Sequence, residues 1–174
     1  MALIQNNTYL DLSNRPYLTE LPDLTKINGS VDVLRLAGLY LHDISALENS
    51  TLKKINISFT YVKKLPYMPM LEELSMVEVE LDDYNDLNTK CPNLKKLKLT
   101  HDNINLVAPL VKLEVLHCGV VNRPDLLYQR FPHLIELRFE HIHSLQTTKV
   151  DDIYLIYYNR VLYNRCTSTK SVIQ

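Results

Sequence analysis

The chain has 174 residues, with 19 Lys and Arg against 20 Asp and Glu and a formal net charge of −1. That length suffices for one domain with a real core, and the balanced charge provides neither a global basic field for nucleic acid nor an acidic tail. With three glycines in all, a glycine-rich phosphate loop is excluded, and neither HExxH nor CxxC occurs.

The first residues, Met1 to Asn7, lack the basic start and apolar stretch of a secretory leader, and no apolar run approaches membrane-spanning length. Cys91, Cys118 and Cys166 are odd in number and widely spaced, unlike a disulfide framework. These features predict an intracellular, cytoplasmic protein. Asn-x-Ser/Thr triplets at Asn6, Asn28, Asn49 and Asn56 point the other way, but such triplets arise readily in an Asn-rich chain. Residues 1–30 supply Leu10, Leu12, Leu18, Leu21, Leu24 and Ile27, enough apolar mass for an N-terminal cap. A weak register starting at Asn7 would put Leu10, Leu12 and Tyr17 in apolar slots.

Six stronger registers follow on the template L-x-x-L-x-L-x-x-N-x-L. They run Val31-Leu34-Leu36-Leu39-Leu41, Leu52-Ile55-Ile57-Thr60-Val62 and Leu71-Leu74-Met76-Val79-Leu81. The series continues as Leu94-Leu97-Leu99-Asp102-Ile104, Leu113-Leu116-Cys118-Val121 and Leu134-Leu137-Phe139-Ile142, at spacings of 21, 19, 23, 19 and 21 residues. In the central x-L-x-L-x the apolar residues alternate with period two, so each register predicts a short strand with its leucines inward. About twenty residues cannot form an independent unit, and each coil must bury its apolar edge against its neighbours.

This pattern resembles the leucine-rich repeat superfamily across residues 31–144. Lys90-Cys91-Pro92-Asn93-Leu94 and Arg130-Phe131-Pro132-His133-Leu134 are similar to the cysteine-containing repeats of F-box substrate receptors, and Leu65-Pro66-Tyr67-Met68-Pro69 to the short repeats of bacterial effectors. The resemblance implies a curved, right-handed α/β solenoid. Its parallel sheet lines the concave face, and short helical, 3₁₀ or extended segments form the convex side. The ninth template position departs from the family. The usual Asn, whose side chain bonds the turning backbone, is replaced by Leu39, Thr60, Val79, Asp102, Val121 and Ile142, which predicts irregular turns and other partners for buried backbone groups.

On the convex side, Ile44 and Leu47 are spaced for one helical turn. The stretch from Asp82 to Lys90 suits a helical turn or two before Pro92. The 19-residue coils leave room only for extended or 3₁₀ returns. Residues 145–174 are expected to form a C-terminal cap. Either Ile153, Ile156 and Tyr158 fill a degenerate seventh register or the segment through Tyr163 is a capping helix, followed by a polar tail from Thr167.

No pocket-forming or nucleophilic constellation stands out, so no enzyme, cofactor or metal is expected. His101, His117 and His141 fall on neighbouring strands, but strands two apart lie about 10 Å from one another, long for sharing one ion. Cys118 occupies an inward slot and Cys91 a structural one. Among outward positions, Lys53-Glu72-Lys95-Glu114 forms an alternating ladder. The fifth template position reads Arg35, Asn56, Ser75, Lys98, His117 and Arg138, without a carboxylate. This column and Phe59, an aromatic just past the second strand, are the predicted partner-binding residues. The expected function is protein–protein interaction on the concave face with an acidic or carbonyl-rich segment of a partner, as adaptor, regulator or host-pathway decoy. The cysteine-type repeats keep a ubiquitin-ligase substrate receptor open, although no F-box-like segment is visible. An RNA-associated subunit is the third reading, weakened by the lack of a basic surface.

Overall fold

The structure, a computed structural model, describes residues 9–23, 31–100, 104, 106–121, 127, 130–142, 154–157 and 164–165. It is a parallel β-solenoid. Strands β1 (Tyr9–Asp11), β2 (Val33–Arg35), β3 (Lys54–Asn56), β4 (Glu73–Met76), β5 (Lys96–Leu99), β6 (Val115–Val121), β7 (Glu136–Ile142) and β8 (Tyr154–Tyr157) lie side by side in chain order. All seven pairings among them are parallel, and β9 (Asn164–Arg165) closes the sheet antiparallel to β8.

The predicted apolar doublets enter the core. Leu34 and Leu36, Ile55 and Ile57, Leu74 and Met76, Leu97 and Leu99, Leu116 and Cys118, and Leu137 and Phe139 are all buried. Leu10, Leu34, Ile55, Leu74, Leu97, Leu116 and Leu137 pair in one row across the sheet. Each such side chain contributes about 1.5–3 kcal/mol by leaving water. Ahead of each strand from β3 to β7, one carbonyl of the preceding coil accepts two N–H groups. Asp32 O takes those of Lys53 and Lys54, and Glu72 O those of Lys95 and Lys96, all at 2.9 Å. Polar backbone and apolar row thus set the same register.

The returns follow the residue spacing. Ile44 and Leu47 are buried around a 3₁₀ turn at Ser45–Leu47, and α1 (Leu87–Lys90) ends on Lys90, just before Cys91 and Pro92. The return from Tyr61 to Pro69 has no helix.

Three expectations need correction. First, the turns after β1 to β4 are irregular in their hydrogen-bond partners but share one backbone conformation. Their eighth-position residues Asn14, Gly38, Phe59 and Glu78 all adopt positive φ, between 53° and 74°. The N–H of Asn14, Gly38 and Phe59 each donates to the seventh-position carbonyl of the next coil at 2.8–2.9 Å. Glycine suits Gly38 doubly, because a Cβ there would meet Asn14 Oδ1 at 2.9 Å. In β6 and β7 the chain instead stays extended through the same slot, pairing Val120 with His141 and Val121 with Ile142. In β6 the β-branched Val120 resists positive φ, and the strand runs on.

Second, Tyr17 does not fill the last slot of the first register. It is 95% exposed, and Leu18 packs against the core instead. Third, the seventh register is offset by one residue: Leu155 pairs with Leu137 and Ile156 with Arg138. A slip of one exchanges the two faces of a strand. Residues 154–157 are a strand, not a helix, and Ile153, Tyr158 and Val161 to Tyr163 lie outside the described residues.

Without the ninth-position Asn, the second, third and fourth coils satisfy their turning backbone differently. Thr60 Oγ1 donates to Ile57 O at 2.7 Å. Ser58 Oγ accepts the Val77 N–H at 3.1 Å and lies 3.0 Å from Ser75 Oγ, while Thr100 Oγ1 accepts the Glu78 N–H at 3.0 Å. In the third coil the hydroxyl of buried Tyr84 donates to Val79 O at 2.9 Å and accepts the Leu81 N–H at 3.3 Å. Arg130 supplies the fourth, donating to the carbonyls of Ile104 and Val107.

Candidate partner-binding face

Because side chains alternate along a strand, burial of the leucine row places the third and fifth positions of every coil on the opposite, outward face. The strand pairing brings Arg35, Asn56, Ser75, Lys98, His117 and Arg138 side by side in one continuous row. With the third-position residues beside it, this row lines a shallow depression of about 300 Å³ across β2 to β7. The predicted column is therefore one surface feature.

Its electrostatics differ from the sequence expectation. The pairing extends the row by one strand to Asp11, a carboxylate opposite Arg35. Arg35 lies 3.9 Å from Asp11 and 5.4 Å from the Tyr9 ring centroid. At the other end Arg138 Nε pairs with Glu136. Both terminal arginines thus have anionic company. The centre does not balance. Glu73 lies 2.9 Å from Lys54 Nζ and 3.1 Å from Lys96 Nζ, one carboxylate between two ammonium groups. Partial burial alone would raise the Glu73 pKa, but the hydrogen bonds and charges of Lys54 and Lys96 outweigh it and hold the carboxyl below its usual value. Beside them Lys98 is exposed, and among the described residues nothing pairs with it. The cationic excess sits over β3 to β5, not along the whole stripe.

The polar members of the row are partly engaged. Asn56 Oδ1 accepts the Ser58 N–H at 2.9 Å, and Ser75 Oγ reaches Ser58 Oγ. The flanking second-position ladder forms separate pairs, Lys53 with Asp32 and Lys95 with Glu72, each at 3.2 Å. Exposed pairs of this kind are worth about 0–1 kcal/mol, weak enough for an incoming anion to displace.

Phe59 is not part of the row. It is 57% exposed at the rim where the chain turns after β3. Near it the structure adds residues that the template did not single out. The Tyr61 ring lies 5.6 Å from Tyr40 and 5.2 Å from His42, nearly parallel to both. Tyr40 and Tyr61 share the tenth template position in successive coils. That coincidence was the available signal.

Burial pushes the Cys91 and Cys118 thiols up to about 12, which fits inert core residues. Among the described residues no group of three His, Cys, Asp or Glu could hold a metal ion, and no helix is long and apolar enough to cross a membrane. His101 lies outside those residues. A comparison of the chain with protein-family models and with curated proteins finds no match to either.

Proposed function

We propose that this solenoid is of the leucine-rich-repeat type, right-handed and curved with its sheet on the concave side, and that it serves as a protein–protein interaction module inside the cell. The partner presents an acidic or carbonyl-rich segment to the row Arg35–Asn56–Ser75–Lys98–His117–Arg138. The observation that carries this reading is the unbalanced centre of the face, where Lys54 and Lys96 share Glu73 and, among the described residues, nothing pairs with Lys98 in a shallow depression. A carboxylate laid along the row meets an ammonium without displacing an internal pair. The mixed charges on either side favour a protein segment over nucleic acid, because the face carries carboxylates in every column and lacks the uniform basic track that a phosphate backbone needs.

The test uses the partner isolated from the native source. Lys98→Glu alone should slow association most among single substitutions in the row, since Arg35 and Arg138 are already neutralised locally. The triple variant R35E/K98E/R138E should fold, because all three side chains leave the sheet toward solvent, and the wild-type on-rate should fall with added salt. A folded triple variant that binds its partner as tightly as wild type sinks the proposal.

A further inference from the structure

The rim at the carboxyl ends of β2 to β4 carries a second feature, separate from the sheet face and opposite in chemistry. Three aromatic side chains, Tyr40, Phe59 and Tyr61, are each half exposed or more there. The contacts of Tyr61 with Tyr40 and His42 fix its ring in place. A ring held this way offers contact area at low entropic cost on binding. Next to Tyr61 opens a cavity of about 400 Å³, whose wall includes Lys63, Glu78, Glu80 and Thr100. Lys63 is occupied by Glu80 at 3.3 Å. Glu78 is exposed, and among the described residues its carboxylate has no partner. Its backbone N–H is fastened to Thr100 Oγ1 at 3.0 Å, so the carboxylate is presented from a fixed turn.

The backbone adds an independent argument. Positive φ at the eighth position is easy for Gly38 and tolerable for Asn14, but unfavourable for Phe59 and Glu78. At these two strained positions the chain carries an exposed aromatic and a carboxylate that has no partner among the described residues. Strain held at such exposed positions points to a surface used by something else.

We infer that this rim is a docking surface for a basic segment of a partner protein, with one arginine side chain lying against the Tyr61 ring and bonded to the Glu78 carboxylate. Guanidinium chemistry fits both elements. It stacks on an aromatic face within about 6 Å of the centroid and pairs bidentately with a carboxylate. The local balance of Glu78 and Glu80 against Lys63 gives the matching sign. Because the sheet face attracts anions and the rim a cation, the two surfaces answer to different probes and can fail separately.

The test titrates the full chain with a capped five-residue peptide of two arginines alternating with glycines, and with its glutamine counterpart. The ring resonances of Tyr61, Tyr40 and His42 should shift with the arginine peptide and not with the glutamine one. Glu78→Asn and Tyr61→Leu should each weaken arginine-peptide binding about two- to fivefold, while Lys98→Glu leaves it unweakened. Glu78→Asn should also raise Tm by about 2–4 °C, because Asn accepts the turn conformation more readily than Glu. Unshifted ring signals, equal binding of the glutamine peptide, unchanged affinity in Glu78→Asn, or a lower Tm in that variant overturns the inference. Glu78 is exposed and its substitution is expected to stabilise the fold, so the test stands even if Tyr61→Leu does not fold.

Discussion

Tyr84→Phe removes one oxygen atom from the third coil and changes little else. The ring stays, so no cavity opens, and the 6% exposure of Tyr84 leaves little access for water at the vacated site. Two backbone groups lose their partner: the Val79 carbonyl at 2.9 Å and the Leu81 N–H at 3.3 Å. A buried polar group left unsatisfied costs about 1–3 kcal/mol. The Leu81 bond is long, so the carbonyl dominates, and a total near 2 kcal/mol is expected. For a chain of this length that corresponds to a fall in Tm of about 4–8 °C. Urea unfolding followed by circular dichroism should show a lower midpoint with an unchanged slope, since the surface exposed on unfolding is the same. Tyr40→Phe is the control, because its hydroxyl belongs to a 53% exposed side chain and should matter by less than about 0.5 kcal/mol. If Tyr84→Phe unfolds at the wild-type midpoint, the hydroxyl does not replace the missing ninth-position amide and the account of the turn fails.

Three further outcomes are expected. Leu97→Ala, in the middle of the buried row, should lower stability by about 2–5 kcal/mol in the same urea experiment, and a smaller loss would mean that the row is loosely packed. Cys91 and Cys118, with thiols pushed up to about 12, should resist iodoacetamide in the folded protein near pH 8 and react on unfolding, as peptide mass mapping would reveal. Glu73 has a folded-state pKa below its ordinary 4.5, so its contribution is complete above that value and is lost as pH falls through the folded pKa. Urea midpoints at about pH 7 and pH 3 should therefore show Glu73→Gln less stable than wild type at the higher pH, with the gap closing at the lower.

The apolar doublets were legible because burial on one side of a strand leaves a period-two trace that composition cannot hide. Ile44 and Leu47 were legible for the same reason at helical spacing. The row from Arg35 to Arg138 follows once parallel strands stack in register, since position then implies neighbourhood. What the pattern missed lies in the turns. The leucine template does not specify φ, so Asn14, Gly38, Phe59 and Glu78 do not look alike until the backbone shows that they share one conformation. The Tyr84 hydroxyl acts from outside the template. Asp11 escaped because its register is weak, and with it went the neutralisation of Arg35. At Leu155 and Ile156 an apolar run filled both faces and left the alternation without a phase.

Repeat architectures are usually modular: a unit can be duplicated, deleted or moved, because every unit makes the same contacts with the next. The private polar solutions of this chain limit that freedom. A copy of the second coil set in place of the third would bring no counterpart of Tyr84 and no Ser75 for the Ser58 hydroxyl. A copy of the third coil set in place of the fourth would put Val77 where the Thr100 hydroxyl accepts the Glu78 N–H. Growth or shrinkage of this solenoid by single coils should therefore be disfavoured, and viable length variants should arise in blocks that keep the second, third and fourth coils together.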